Sequence, residues 1–198
     1  MKFSRIDNTL IGFFILVFIS SIYLLVVVQN NQEHVSQALE IGTIKEVNNS
    51  VKKRHYTMLT WHNAAVTDAL QEDDVIFTSE NSSALLMFND GSLLNIEGDS
   101  LIRLKGEHGI ILEKGQIQIN NEQSSDPSKL TITLAQKNNQ KLTMGENSIF
   151  KLSKNNDNIE INSIKGNGSL SSQDNTSEIK NGQNFNIEKN KIKKINLS

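Results

Sequence analysis

The sequence predicts an all-β domain, a stacked-hairpin sandwich or a solenoid-like stack, behind one membrane-spanning amino-terminal helix. Three observations predict it. Residues Leu10 to Val28 read LIGFFILVFISSIYLLVVV, without a single charge. From Ile41 onward, short stretches alternate apolar and polar residues with period two. Turn residues separate those stretches at spacings of roughly 8–12 positions, the rhythm of all-β sandwiches and barrels.

The apolar run comes first. A helix of that length spans roughly 28 Å at about 1.5 Å per residue, close to the hydrocarbon thickness of a bilayer. A cleaved signal peptide is the competing reading. Such peptides carry a shorter apolar stretch and a small-residue cleavage site just after it. Here Gln29, Asn30, Asn31, Gln32 and Glu33 follow, and the nearest small pair, Ser36 and Ala38, lies well beyond. The expectation is an uncleaved anchor. Lys2 and Arg5 flank its amino end, and no Lys or Arg follows until Lys45. The positive-inside rule then leaves a short cytoplasmic tail, residues 1–9, and exports everything after the span 10–28. Residues 29–40 read as a polar linker. Residues 41–198 read as one extracytoplasmic domain, long enough for a real core.

Composition narrows the function classes. The chain has no Cys. Packing rather than disulfides must hold the exported part together, and thiol catalysis and Cys-ligated zinc are excluded. The net charge of −2 argues against nucleic acid as a partner. Asn is abundant and Pro occurs once, at Pro127. The Asn residues fall between apolar strands, as turn residues and solvated strand faces.

The strands follow in order. Ser83–Phe88 (SALLMF) leads through Asn89-Asp90-Gly91 into Ser92–Glu97, where Leu94 and Ile96 share a face. Asp90-Gly91 is the strongest hairpin signal, because both residues tolerate the positive φ of tight hairpin turns. Leu101–Lys105 sets Ile102 and Leu104 against Arg103 and Lys105. Gly109–Glu113 passes through Lys114-Gly115 into Gln116–Asn120. Lys129–Ala135, Ser148–Ser153, Asn158–Ile164, Asn184–Glu188 and Lys191–Ile195 complete the set, with Glu188 to Lys191 closing a last hairpin. Gln123–Ser128 and Gly166–Glu178 read as polar loops. Lys52–Asp68 (KKRHYTMLTWHNAAVTD) departs from the pattern and leaves open a short helix or a strand ending at Trp61.

These residues resemble a family. Gly42–Val47 (GTIKEV), Trp61, and Leu70–Leu104 (LQEDDVIFTSENSSALLMFNDGSLLNIEGDSLIRL) are similar to the FecR domain of bacterial membrane regulators. Asp74, Thr78, Ser83, Ala84, Asp90, Gly91, Ser92 and Ser100 follow its pattern, and Gly115 matches the Gly between its next two strands. The resemblance extends to Gly182-Gln183 as a closing turn. It implies an all-β extracytoplasmic domain with a binding or sensing role. About nine residues precede the apolar run, so the expectation is a member lacking the cytoplasmic sigma-factor-binding region of the best-known ones.

No reactive constellation accompanies the motif. The four His residues lack the three- or four-residue spacing of helical metal sites, and no phosphate loop or nucleophile elbow occurs. Glu72-Asp73-Asp74 lacks the Gly of a calcium loop and reads as a solvated turn, with Asp74 bonding backbone amides. Trp61 reads as a core anchor, since aromatic burial dominates small β cores. Lys52-Lys53-Arg54-His55 and Lys189, Lys191, Lys193 and Lys194 read as solvated edges that discourage strand pairing. The expectation is a protein that is not an enzyme and uses no cofactor or metal. It sits in the bacterial cytoplasmic membrane as a single-pass protein and binds an envelope protein or ligand. The alternative is a structural envelope scaffold that organises partners by strand addition.

Overall fold

Alternation along the chain becomes alternation of burial. The computed structural model describes residues 14–24, 39–106, 108–126, 130–135, 140–156, 158–172, 175–188 and 191–195. The chain divides into two units, residues 1–38 and 39–198. In the first, residues 14–24 are helical, and their large apolar side chains are exposed, Phe14 at 68%. Among the described residues no helix is long and apolar enough to cross a membrane. The rest of the expected span, residues 10–13 and 25–28, lies outside the described residues, as does most of the expected linker.

The second unit is all strand and turn. Seventeen strands are present among the described residues. They begin with β1 (Glu40–Asn48), β2 (Val51–His55), β3 (His62–Asn63), β4 (Ala69–Gln71), β5 (Asp74–Thr78) and β6 (Ser83–Phe88). Next come β7 (Leu93–Ile96), β8 (Leu101–Lys105), β9 (Gly109–Asn120), β10 (Thr131–Ala135), β11 (Gln140–Met144) and β12 (Ile149–Asn155). The last are β13 (Asn158–Lys165), β14 (Gly168–Ser171), β15 (Thr176–Ile179), β16 (Asn184–Glu188) and β17 (Lys191–Ile195).

Their pairings make two sheets that share β9. The first runs β4-β1-β6-β7-β9-β12-β13-β16-β17. The second runs β3-β2-β5-β8-β9-β10-β11-β14-β15. Every pair is antiparallel except β9 with β10. Residues Gly109 to Lys114 of β9 belong to the second sheet, and Gly115 to Asn120 to the first. One hydrophobic cluster fills the space between the sheets. The first contributes Ile44, Leu86, Ile117, Phe150 and Ile161, and the second Ile76, Ile102, Leu112, Leu142 and Leu170. Each fully buried Leu or Ile contributes about 1.5–3 kcal/mol. The fold is therefore a two-layer sandwich whose chain visits the sheets alternately.

Among the described residues, nine crossings between the sheets share one device, a residue at positive φ. Asn49, Thr67, Asp73, Asn81, Asp99, Asn147, Gly166 and Gly182 mark interstrand crossings, and Gly115 marks the one inside β9. Asn, Asp and Gly enter that region at least cost. A small polar residue follows four of them into the core: Asp74, Ser82, Ser100 and Ser148 are buried. At each corner backbone groups leave the ladder, and these side chains replace the missing partners. Asp74 Oδ2 accepts the Gln71 N–H at 3.0 Å. Ser100 Oγ accepts the Gln116 N–H at 2.9 Å. The Ser148 hydroxyl donates to the Gly145 carbonyl at 2.7 Å.

One open segment is resolved and three sequence expectations are corrected. Residues 52–68 form β2 and β3 with irregular chain between and after them, and no helix. β2 is no sheet edge, because β3 and β5 flank it. Its basic side chains are used internally: Lys53 Nζ donates to the Ala69 carbonyl at 2.6 Å and faces Asp74 at 3.5 Å. The expected loop Gly166–Glu178 holds β14 and most of β15. Each has a single buried apolar residue, Leu170 and Ile179, too few for period-two reading. At the Asp90-Gly91 hairpin only Gly91 has positive φ, at 91°. The Gly91 N–H bonds the Phe88 carbonyl and the Phe88 N–H bonds that of Ser92, giving a three-residue loop with a bulge at Gly91.

Candidate functional site

The FecR-like motif residues build three corners of the framework. Thr78, fully buried, donates its hydroxyl to the Glu97 carbonyl at 2.6 Å and accepts the Ser100 N–H at 3.1 Å. Gly115 packs on Ser100, so Thr78, Ser100 and Gly115 meet where β5, β8 and β9 approach one another. A second corner centres on Asp90. Its carboxylate accepts the Ser92 N–H at 2.8 Å, the Ser92 hydroxyl at 2.9 Å and the Ser124 hydroxyl at 2.9 Å. His108 Nδ1 lies 3.6 Å from the same carboxylate. Asp74, with Lys53 and Gln71, is the third. These residues set strand geometry.

Trp61 stands apart from them, and its expected place in the core is corrected. It is 37% exposed. The reason lies in β2 and β3, which carry the intervening chain out of the sandwich. Arg54 Nη1 donates to the carbonyls of His55 at 3.3 Å, Tyr56 at 2.9 Å and Met58 at 2.6 Å. That guanidinium also lies 4.8 Å from the Trp61 ring centroid. Trp61 meets Phe77 of β5 edge-on, with centroids 6.3 Å apart. Lys114 sits 5.6 Å over the other ring of that pair. Close by, Arg103 of β8 stacks 3.4 Å from the Tyr56 ring and donates to Asp73 Oδ1 through Nε at 2.9 Å and Nη2 at 2.6 Å.

The result is an aromatic loop pinned by two arginines. It leaves Leu59 94% exposed and Tyr56 51% exposed, with Met58 beside them. Exposed Trp and Tyr beside half-buried Arg on an ordered support are the residue types that dominate binding hot spots. Sequence reading singled out Trp61, read Arg54 as part of a solvated basic edge, and missed Tyr56, Leu59, Phe77 and Arg103. The signal was present in the apolar and aromatic residues 56–61, which break the alternation outside any strand. Among the described residues, no group of three or more His, Asp or Glu is placed to hold a metal ion.

The comparisons fit this architecture. The sequence matches no family model and no curated protein. Two crystal structures of a "putative anti-sigma factor" from Parabacteroides distasonis ATCC 8503, at 1.65 and 2.50 Å resolution, are similar in fold. Each matches with a TM-score of 0.50 and 9% identity over 62% of this chain. The match spans 59% of the length of those chains. At that identity the likeness is one of fold alone, and the chain shares with these structures an all-β architecture.

Proposed function

We propose that residues 39–198 form a FecR-like binding or sensing domain on the extracytoplasmic side of the bacterial cytoplasmic membrane. In this reading residues 10–28 anchor it, and it engages an envelope protein or ligand without covalent chemistry. The uncharged run and the Lys2/Arg5 flank support the anchor. The exposed apolar side chains of helix 14–24, with Phe14 at 68%, fit the same role. The fold shared with the "putative anti-sigma factor" structures supports the sensing branch.

One observation carries the binding role: the loop that exposes Tyr56, Leu59 and Trp61 while Arg54 and Arg103 hold it in place. A photocrosslinking residue at Leu59, in whole cells, is expected to trap one envelope component. That product is expected to disappear with Trp61→Ala, while a crosslinker at Ile195 on the other sheet traps nothing specific. Equal trapping from both positions, or none from Leu59, would overturn the assignment.

A further inference from the structure

A second feature of the molecule lies on the outer face of the second sheet, beyond the aromatic loop. Register fixes which side chains line up there. Arg103 pairs with Ile111, Ile111 with Thr133, and Thr133 with Lys141. The next outward row runs Lys105, Gly109, Thr131 and Thr143. Neighbouring strands lie about 4.8 Å apart, so the first row places Arg103 and Lys141 roughly 14 Å apart. Between them the surface dips into a cleft of about 490 Å³, lined by Arg103, Lys105, Gly109, Ile111, Thr131, Thr133 and Lys141.

The chemistry of that lining is one-sided. Among the described residues it holds three cations, two hydroxyls, one apolar floor residue and no carboxylate. Gly109 sits against the Lys105 carbonyl, where an added Cβ would collide with that oxygen, so its row carries no side chain at the centre. Arg103 is held by Asp73 and by the Tyr56 ring, which fixes the guanidinium while leaving some of its five donors over. Fixed cations flanking hydroxyl donors match an oxyanion set in a polar body. The volume is that of a small-molecule site.

The geometry points to a binding site for a phosphate- or carboxylate-bearing ligand in this cleft, with Lys105 and Lys141 supplying charge and Thr131 and Thr133 hydrogen bonds. The site does not depend on the aromatic loop as a partner surface. The chemistry is common to a soluble acidic saccharide or sugar phosphate and to an anionic lipid headgroup.

The test uses the full chain in neutral detergent micelles. Glycerol 3-phosphate and a galacturonate oligomer are titrated against labelled protein, and phosphatidylglycerol vesicles are used in a separate arm. Amide shifts are expected at Gly109, Ile111, Thr131 and Thr133. The pair Lys105→Gln and Lys141→Gln is expected to weaken binding about tenfold and flatten its salt dependence. The pair Lys151→Gln and Lys193→Gln, on the first sheet, is expected to leave it unchanged. Preference for the soluble probes identifies a saccharide-type ligand, and preference for vesicles a headgroup. Absence of amide shifts with every probe at millimolar concentration, or equal weakening by both pairs, would overturn the proposal. Far-UV circular dichroism and the thermal midpoint verify that both variants fold. Leu59 trapping is scored separately, so either reading can fail alone.

Discussion

Gly115 rests directly on Ser100: a Cβ added to Gly115 would lie 2.6 Å from the Ser100 Cβ, with the Ser100 Cα and Oγ nearer still. The same contact recurs between Gly166 and Ser148, at 2.6 Å to Cβ and 2.8 Å to Cα. Both glycines have positive φ, 95° and 79°, and both mark a crossing between sheets. Gly115→Ala is therefore expected to lose about 3 kcal/mol from strain and overpacking together. Gly182→Ala, at φ 74° with nothing within 4 Å, should lose only the backbone cost of about 1 kcal/mol. Urea unfolding followed by the single Trp separates them. Equal losses would show that the Ser100 contact is not what demands glycine.

The Asp90 hairpin gives a second prediction. A Cβ on Gly91 would lie 2.6 Å from the Gln123 carbonyl oxygen, at φ 91°. Gly91→Val should cost about 3 kcal/mol, since a β-branched residue is a genuine outlier there. Asp90→Ala strands the donors of Ser92 and Ser124 and should cost about 1–3 kcal/mol. Adding Ser92→Ala to Asp90→Ala should cost less than the sum of the two. Strict additivity in denaturant midpoints would count against the shared network.

A third concerns the aromatic loop. Trp61→Ala should lower global stability by about 1 kcal/mol, well short of the roughly 3–5 kcal/mol of a core Trp. Arg54→Ala removes three carbonyl contacts and the ring contact together. It should shift Trp61 emission to the red and speed amide exchange at Met58, whose N–H bonds the His55 carbonyl. An unchanged exchange rate would mean the arginine does not hold the loop.

The fourth is a pH dependence. Lys165 Nζ donates to Glu122, and Asn120 Nδ2 adds a bond at 3.1 Å. These contacts hold the Glu122 carboxyl below the ordinary carboxylate range, Lys165 contributing most. A depressed folded pKa gives stability that is present above the unfolded pKa and lost as pH falls through the folded one. Lys165→Met should therefore lower the unfolding midpoint at neutral pH and match wild type in acid. A difference that persists below the carboxylate range would assign the effect to packing instead.

Much of this architecture was legible. Strict alternation in Gln116–Asn120, and in Leu101–Lys105 from Ile102 onward, reappears as alternating burial, because inward and outward side chains differ sharply in polarity there. Asp74 was read as bonding backbone amides, and its carboxylate accepts the Gln71 N–H. What escaped was the difference between a hairpin and a crossing. Gly91 turns the chain within one sheet and Asp99 sends it to the other, yet both lie in short Gly/Asp/Ser clusters. The distinction depends on which strands lie opposite, which is not local. Trp61 was misplaced for a related reason: composition places an aromatic inside, whereas Arg54 and Phe77 offered it a surface seat. β14 and β15 escaped because one buried side chain per strand leaves no period to detect.

The recurring corner also limits how far an error can spread. A strand slipped by one residue turns its whole buried face outward. Here each slip would run within a few positions into Asp73-Asp74, Asn81-Ser82 or Asp99-Ser100, where one residue must take positive φ and the next must enter the core. A displaced register puts the wrong side chain at both places and is rejected there. The visits that start at such corners thus begin from a fresh reference point, and alignment there is checked locally rather than carried from one end of the chain to the other.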